Sequence, residues 1–358
     1  MNLKIFLRAF GILAIVLTIF PFIRIDDWWV RVFDFPHLQL TLLTLMALLV
    51  YFLTFDLKNI TDYTFVIVLL CCFLFQGYKI FPYTAFAGYE VQNTSKSASN
   101  LIKIYTANVL QDNKDYNALL TDIEKYKADI LLFTETDAQW LEALSKKLDN
   151  DYQYKIEAPR DNTYGMTLFS RYELYKSEIK YLVEDTIPSM HTKLILPSKD
   201  TIQLYSIHPA PPAPQHNPSS VDRDAEMMKI TKLTRNSRYP VIVLGDFNDV
   251  AWSETTALFQ KISGLLDLRK GRGLFNTYNA KNWIMRWPLD HVFTAAEFRV
   301  KQVDLGANIG SDHFPFFTEL SFEPELAEEQ QLPPPSEQEI QRAFEQIEKE
   351  IEEDQSSE

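Results

Sequence analysis

The amino-acid sequence predicts an α/β domain, with sheets packed inside layers of helices, preceded by three membrane-spanning helices. Between residues 101 and 322, short apolar runs typical of buried strands alternate with longer segments of helical periodicity. Before residue 90, three apolar segments are long enough to cross a bilayer. We therefore expect the 358 residues to form more than one structural unit.

The three apolar segments cover residues 5–23, 38–55 and 63–78, and the third continues past Lys79 to residue 86. A spanning helix needs about 17–25 residues. Trp28, Trp29 and Tyr51 lie near segment ends, as aromatic residues do at membrane interfaces. A cleaved signal peptide is the alternative for the first segment, but no small-residue cleavage site follows it. We therefore predict a multi-pass membrane domain at residues 1–90, embedded in the lipid bilayer.

An odd number of spans puts the rest of the chain on the opposite side of the membrane from the N-terminus. The basic residues divide evenly between the two faces. The free amino group, together with Asp26, Asp27 and Asp34 in the first loop, favours a cytoplasmic N-terminus. The large domain is therefore predicted to be extracytoplasmic.

The elements of the large domain follow a polar linker at residues 91–100. Apolar runs predict strands at 101–109, 130–133, 166–169, 177–183, 190–196, 201–207, 241–244, 289–293, 298–305 and 316–322. Helical periodicity predicts helices at 116–126, 137–148 and 219–236, the last of them capped by Ser219 or Ser220. Such interleaving is typical of sheets covered by helices.

Charge and cysteine content exclude some classes of function. Of the formal net charge of −13, most belongs to an acidic tail at 323–358, and residues 101–322 are nearly neutral without a basic patch. A dedicated binder of duplex DNA is therefore not expected. The two cysteines, Cys71 and Cys72, are adjacent in an apolar run, which suits neither a disulfide framework nor a zinc site.

The acidic tail carries Ile340, Phe344, Ile347 and Ile351 at helical spacing. This stripe suits a helix that binds a protein partner or associates with itself. The alternative is a solvated, partly disordered tail with some helix, and the density of acidic residues favours that alternative.

The most informative motif is Val-Leu-Gly-Asp-Phe-Asn at residues 243–248. Asp246 and Asn248 lie two positions apart at the end of a predicted strand, so extended backbone directs both side chains to one side. A carboxylate beside a carboxamide suits hard cations and phosphate oxygens. The neighbouring Asp249 is expected to be a turn or surface residue.

Other polar side chains also lie at the ends of predicted strands. One such residue usually stabilises a turn, but several at sensible spacings indicate a shared site. They are Asn108, Glu135, His208, Asp246, Asn248, Asp290, Asp312 and His313. His291, which follows Asp290 directly, points to the other face of a strand and is expected to be structural.

These motifs, in this order, resemble those of the endonuclease/exonuclease/phosphatase superfamily, which includes DNase I-like nucleases, inositol polyphosphate 5-phosphatases and neutral sphingomyelinases. The resemblance covers residues 101–322 and is most specific at Gly-Asp-Phe-Asn (245–248) and Ser-Asp-His (311–313). It implies a four-layer α/β sandwich of two mixed sheets flanked by helices. The apolar segments imply a membrane-anchored, bacterial-type member in the cell membrane.

The resemblance implies the hydrolysis of a phosphate ester with a divalent cation. Glu135 is the main expected ligand for Mg²⁺ or Mn²⁺, with help from Asn108 and Asp312. Structural zinc is not expected, because the domain has no Cys/His cluster.

The remaining site residues are expected to handle water and phosphate. Asp246 orients or deprotonates the attacking water, and Asn248 donates to a phosphate oxygen. His313 contacts the phosphate or acts as general base, oriented by Asp290. His208 protonates the leaving group or binds the phosphate.

We therefore predict a membrane-anchored, metal-dependent phosphoesterase that cleaves a phosphodiester or phosphomonoester by activated water. Its partner is a phosphate-ester substrate, either a lipid headgroup, a small ester or a nucleic acid. One alternative is a nonspecific nuclease acting on DNA. The other is a catalytically silent membrane scaffold, which the complete set of chemically competent residues disfavours.

Overall fold

A computed structural model of the chain describes residues 2–23, 25–214 and 217–357. The helices are α1 (Leu3–Ile19), α2 (Trp28–Arg31), α3 (His37–Tyr51), α4 (Ile60–Ile80), α5 (Tyr116–Tyr126), α6 (Ala138–Leu148), α7 (Val221–Arg235), α8 (Glu254–Ser263) and α9 (Glu337–Ser357). The strands are β1 (Leu101–Asn108), β2 (Ile130–Thr134), β3 (Tyr154–Ala158), β4 (Met166–Ser170), β5 (Leu174–Lys180), β6 (Ser189–Ile195), β7 (Thr201–Ile207), β8 (Val241–Asp246), β9 (Leu266–Asp267), β10 (Asp290–Thr294), β11 (Phe298–Leu305) and β12 (Phe316–Phe322).

The strands form two six-stranded sheets, in the orders β11-β12-β1-β2-β4-β3 and β5-β6-β7-β8-β10-β9. The β1–β2 and β7–β8 pairs are parallel, and the other neighbours are antiparallel. The sheets pack face to face through apolar residues such as Ile104, Leu132, Leu204 and Ile242. Helices α5 and α6 cover one outer face, and α7 and α8 cover the other. The predicted four-layer sandwich of two mixed sheets is thus confirmed.

Local sequence explains the elements at the centre of this sandwich. Every residue of β2 and of β8 is buried, as expected for apolar strands covered on both faces. Helices α5 and α6 are capped at their N-termini by Asp115 and Asp137, whose carboxylates accept the N–H groups of Ala118 and Trp140. Between residues 101 and 322, the predicted strands and helices lie within three residues of their observed bounds, whereas β3, α8 and β9 have no counterpart among the predicted elements.

Three N-terminal helices are long and apolar enough to cross a membrane, at Leu3–Phe22, His37–Thr54 and Ile60–Tyr83. They match the three segments expected from the sequence. At the end that carries the N-terminus, the buried carboxylate of Asp62 accepts hydrogen bonds from Lys4, Arg8 and Tyr51. One acid therefore ties α4 to both α1 and α3.

The opposite end of the apolar helices packs against the large domain. The Trp28 N–H donates to the Pro218 carbonyl at 2.7 Å, and the Trp252 indole donates to the Asp34 carbonyl at 2.8 Å. Ile80 at the end of α4 packs in one apolar cluster with Trp252 and its neighbours. The chain that follows the Gly-Asp-Phe-Asn motif therefore rests directly on the ends of the apolar helices.

The acidic tail differs from the solvated segment that its composition favours. Helix α9 packs on α7 and α8 through Ile340, Ala343 and Ile347. The pair Lys229–Glu350, at 2.8 Å, lies at this contact. Two residues of the stripe, Ile340 and Ile347, thus pack on the sandwich, whereas Phe344 and Ile351 remain about half exposed. The surface of α7 that receives them is not revealed by the sequence of the tail.

Replacement of Gly245 by alanine is expected to destabilise the sandwich where β7 and β8 pair. Gly245 has φ +140°, and a Cβ there would lie 2.0 Å from the Ile207 carbonyl oxygen. We expect Gly245→Ala to lower the thermal midpoint of the purified chain by about 5 °C or more. Gly88→Ala, at a glycine with open space around it, serves as the control. Equal midpoints for the two variants would contradict this account.

Candidate active site

The eight predicted site residues converge at one end of the sandwich. The parallel strands β1 and β2 end there in the first sheet, and β7 and β8 end there in the second. Strand β10 runs antiparallel to β8, so its first residue, Asp290, lies opposite Asp246. Six of the eight line one cavity of about 340 Å³, namely Asn108, Glu135, Asp246, Asn248, Asp312 and His313. The other two, His208 and Asp290, lie buried behind Asp246 and His313.

Asn108 connects the two sheets at this end. Its Nδ2 donates to Glu135 Oε1 at 2.7 Å and to Asp246 Oδ2 at 3.0 Å. Its Oδ1 accepts the N–H of Leu110 at 3.0 Å. The Asn108 amide thus lies between two carboxylates and donates to both, while its oxygen already accepts a backbone N–H.

Glu135 follows β2 with a left-handed backbone, φ +62°, which costs a non-glycine residue on the order of 1 kcal/mol. Its second oxygen accepts the N–H of Gln111 at 3.2 Å. Burial raises the pKa of this carboxyl to about 7. Among the described residues no lysine or arginine forms an ion pair with Glu135. The carboxylate therefore lies partly buried at the cavity without a lysine or arginine partner, as a metal ligand would.

His313 is held between two carboxylates. Its Nδ1 donates to Asp290 Oδ2 at 2.8 Å, and its Nε2 lies 3.6 Å from Asp246 Oδ2. Asp290 is itself positioned by Thr277, whose hydroxyl accepts the Asp290 N–H at 3.1 Å. Burial alone lowers the pKa of His313, but the charges of Asp290 and Asp246 outweigh burial and raise the pKa to about 10. The imidazole therefore carries a proton on both nitrogens at neutral pH.

Asp246 is the central acid among the site residues of the second sheet. Its Oδ1 accepts the Asn248 N–H at 2.9 Å, and Asn248 Nδ2 donates to the Pro209 carbonyl at 3.0 Å. His208 Nε2 lies 3.9 Å from Asp246 Oδ2. Burial raises the pKa of Asp246, but the neighbouring histidines, His313 first, bring it below its ordinary value. Burial lowers the pKa of His208 to about 4, so His208 is neutral at pH 7.

Asp249 is a buried support for the motif and not the expected turn or surface residue. It is 1% exposed, and it accepts hydrogen bonds from the hydroxyls of Ser253 and Thr256. Arg223 lies 3.5 Å from Asp249 and donates to the Asn248 carbonyl at 3.0 Å. The sequence feature that could have indicated this role is Ser253, a helix-capping residue that lies four positions after Asp249 and caps α8 at the Thr256 N–H.

His291 lies on the far side of β10 from the cavity, as its position next to Asp290 predicts. Its Nε2 donates to the Asp249 carbonyl at 2.9 Å, and Arg269 contacts its Nδ1. His291 is fully buried against Phe247 and Phe293. It therefore supports the strand and the motif from behind.

The wall of the cavity includes residues that sequence reasoning did not assign to a site. They are Trp28, Val32 and Phe35, between the first two apolar helices, and Pro211, Pro212, Tyr278, Trp287 and Leu289. The sequence marked Trp28 only as an interfacial aromatic residue. Neither lysine nor arginine lines this cavity in the part of the chain that the structure describes. The site thus combines an acidic floor with an apolar wall.

Two groups of residues at the floor of the cavity have the donor atoms that a divalent cation would need. Glu135 and Asp312 offer carboxylate oxygens from the cavity wall, the kind of ligand that Mg²⁺ prefers. Asp246, Asp290 and His313 each offer a donor atom within 4.8 Å of the other two. In that trio, however, His313 and Asp290 already form a hydrogen bond with one another. Asp290 Oδ1 has no hydrogen-bond partner, so one oxygen of this carboxylate remains available as a donor atom.

The sequence profile of the Endonuclease/Exonuclease/phosphatase family matches residues 105–313, from β1 to His313. The chain belongs to this family. It is accordingly a hydrolase that acts on phosphoester bonds. Among curated proteins, none matches the chain in sequence.

Solved structures that resemble this family member share its fold at low sequence identity. D. rerio TDP2 complexed with single-strand DNA product is 16% identical, with a TM-score of 0.53, covering 62% of this chain and 100% of that chain. The Bacteroides vulgatus endonuclease/exonuclease/phosphatase is 19% identical, with a TM-score of 0.52, covering 63% and 100%. The human Nocturnin catalytic domain with bound sulfate is 19% identical, with a TM-score of 0.50, covering 63% and 95%. At these identities the likeness establishes the sandwich fold alone.

Removal of the Asp290 charge is expected to lower the pKa of His313 in this family member. Asp290→Asn retains the shape of the side chain but takes away one of the two anions that stabilise the imidazolium. We expect the His313 pKa to fall by roughly one unit or more, since a lost ion pair of this kind is worth that much. NMR titration of the histidine side chains in the presence of a chelator measures the shift. Asp112→Asn, at an exposed acid, is the control, and an unchanged His313 pKa in Asp290→Asn would contradict the assignment.

Proposed function

We propose that the chain is a membrane-anchored phosphoesterase that depends on a divalent cation and hydrolyses a phosphodiester or a phosphomonoester. The observation that carries this proposal is the cavity itself. It gathers Glu135, Asp246 and Asp312 with His313 at a strand end, and its described lining offers no lysine or arginine to a phosphate. A phosphate anion needs positive charge in such a site, and a bound divalent cation is the source that the donor atoms suit.

In this proposal, residues 1–90 form the membrane domain, residues 91–100 a linker, residues 101–322 the catalytic domain and residues 323–358 the tail. The basic residues divide evenly between the two ends of the apolar helices, but the free amino group at one end and the acids Asp26, Asp27 and Asp34 at the other favour a cytoplasmic location for the end away from the catalytic domain. The catalytic domain then lies outside the cytoplasm of a bacterial-type cell membrane. A reporter that works only in the cytoplasm can be fused to the C-terminus to test this orientation. Activity of the reporter in that fusion would contradict it.

We assign the cation, Mg²⁺ or Mn²⁺, mainly to Glu135, with Asp312 as a second oxygen donor. When bound, the cation would neutralise phosphate oxygens and favour the ionised form of water. Asn108 supports Glu135 by donating to Oε1 while its own oxygen binds the Leu110 N–H. Its role in this arrangement is to orient the ligand, which is a narrower role than the sequence suggested.

In the hydrolysis, the oxygen of water bonds to phosphorus, the bond from phosphorus to the leaving oxygen breaks, and the leaving oxygen takes up a proton from solvent water. Asp246 lines the cavity and is held by Asn108 and by the Asn248 N–H, so we assign it to orient the water and accept its proton. His313, with Nδ1 bound to Asp290, presents Nε2 to a phosphate oxygen. Asn248 adds an amide donor, and His208 positions Asp246 from behind.

Loss of Asp246 or His313 is expected to abolish turnover. We expect Asp246→Ala and His313→Ala to lower the hydrolysis of a nitrophenyl phosphodiester with Mg²⁺ or Mn²⁺ by roughly 10²-fold or more, since each removes a group that handles a proton or a developing charge. Steady-state kinetics of the purified full chain measures the loss, and thermal midpoints establish that the variants fold. Asp112→Ala is the control, and undiminished turnover in both site variants would sink the assignment.

Loss of the Glu135 charge is expected to weaken the response to metal. We expect Glu135→Gln to raise the Mg²⁺ concentration for half-maximal turnover by roughly tenfold or more, because a neutral amide is a weaker ligand than a carboxylate. Titration of activity with Mg²⁺ after chelator treatment measures this shift. Glu142→Gln, at an exposed residue of α6, is the control. Full activity of the unmodified chain in excess chelator would argue against any metal role.

A further inference from the structure

We propose that residues 26–35, between the first two apolar helices, complete the substrate cavity, and that the substrate is the phosphoester headgroup of a lipid at the bilayer surface. This inference rests on the proposed phosphoesterase function and deepens it by naming the substrate class. Three features carry it: the wall of the cavity, an exposed apolar loop beside that wall, and the distribution of charge.

The wall of the cavity comes from the boundary of the apolar helices. Trp28, Val32 and Phe35 line the same cavity as Asp246 and His313. The first apolar span ends at Phe22 and the second begins at His37, so this wall lies a few residues from both. In a membrane that position is the interface between hydrocarbon and headgroups. A phosphoester bound against this wall would therefore lie at headgroup depth.

Contacts with the catalytic domain hold this wall in place. The Trp28 N–H binds the Pro218 carbonyl at 2.7 Å, and the Trp252 indole binds the Asp34 carbonyl at 2.8 Å. The Phe35 and Trp287 rings meet edge to face with centroids 5.6 Å apart. Both ends of the segment are thus fixed to the catalytic domain. The segment is a component of the site and not only a connection between two helices.

An exposed apolar loop lies beside the cavity at the same depth. Trp283, Ile284 and Met285 are 82%, 53% and 41% exposed, between the cavity residues Tyr278 and Trp287. Gln39, in the first turn of α3, donates to the Ile284 carbonyl at 2.7 Å. The loop therefore lies level with the start of the second apolar span. Three consecutive exposed apolar residues at this level are covered when they enter the membrane interface, where tryptophan in particular is favoured.

The distribution of charge favours a lipid over a nucleic acid. Lys281 and Arg286 flank the exposed loop, where they can contact anionic lipid headgroups. Inside the cavity, the charged residues are acids and His313, so consecutive phosphates of a polynucleotide would meet Glu135 and Asp312 without a lysine or arginine among the described lining. One phosphoester attached to an apolar body matches an acidic, metal-binding floor and an apolar wall.

The neighbouring residues Trp28 and Trp29 provide a matched test of the wall. Trp28 lines the cavity, whereas Trp29 contacts Asp27 and the Phe20 ring outside it. The full chain is reconstituted in vesicles of phosphatidylcholine, phosphatidylglycerol and phosphatidic acid in equal parts. We expect Trp28→Ala to raise KM for vesicle lipid by roughly tenfold or more, since an aromatic wall of the site is lost. Trp29→Ala should retain wild-type values, and equal effects of the two substitutions would overturn the role of the wall.

The exposed loop is tested with two substrates. We expect the double variant Trp283→Ser, Ile284→Ser to lose roughly tenfold or more of its turnover of vesicle lipid, because it loses apolar contact with the interface. Its turnover of a soluble nitrophenyl phosphodiester should be unchanged, since the loop does not line the cavity. Tyr175→Ser, at an exposed aromatic residue of β5, is the control for surface substitution. A parallel loss on both substrates would overturn the interfacial role.

The failure of this inference is distinguishable from failure of the proposed function. If the wild-type chain hydrolyses the nitrophenyl diester but no vesicle lipid, the lipid assignment is overturned and the phosphoesterase proposal stands. Faster hydrolysis of plasmid DNA than of lipid, with no loss in Trp28→Ala, overturns the assignment in the same way. Absence of turnover of all three substrates in Mg²⁺ and in Mn²⁺ overturns both proposals.

Discussion

The site depends on one side-chain amide that crosses between the two sheets. Asn108 donates to Glu135, which follows β2, and to Asp246, which ends β8. Asp246 is buried and Glu135 partly buried, and two such carboxylates facing each other repel. A neutral donor shared between them satisfies both without adding charge. Ser311 binds the Asn108 carbonyl at 2.8 Å and the His313 N–H at 3.0 Å, so the same strand end also positions the histidine. The hydrogen bonds of Asn108 therefore fix the alignment of the two sheets and the geometry of the cavity floor together.

Buried supports on the second sheet offset the strain that this geometry requires. Asn248 has a left-handed backbone with φ +50°, and its carbonyl is held by Arg223. Asp249 joins Arg223 to the start of α8 through hydroxyl contacts. Arg223 and Asp249 do not line the cavity, yet they hold the backbone of Asn248, whose side chain does. An enzyme site is commonly held in such a conformation by residues behind it.

The same motif connects the proposed chemistry to the apolar helices. The chain after Asp249 packs against Ile80 and Tyr83 at the end of α4, and Tyr83 donates to the Ala251 carbonyl. A displacement of α4 would thus reach the Asp246 loop through a few contacts. Helix α9 adds a second connection, because Lys349 pairs with Asp26 at 2.8 Å while α9 packs on α7. The apolar helices and the sandwich are therefore in contact at the segments that surround the cavity.

The sequence by itself determined most of the strands, the three apolar helices and the residue types at the strand ends, because periodicity, apolar length and motif order are local properties of the chain. Only the tertiary structure decided that Asn108 lies between two acids, that Asp249 is buried, and that Trp28 and Phe35 wall the cavity. It also decided that α9 covers α7. Each of these depends on groups far apart in sequence, such as Trp28 and His313, whose proximity follows from packing and leaves no pattern in either segment.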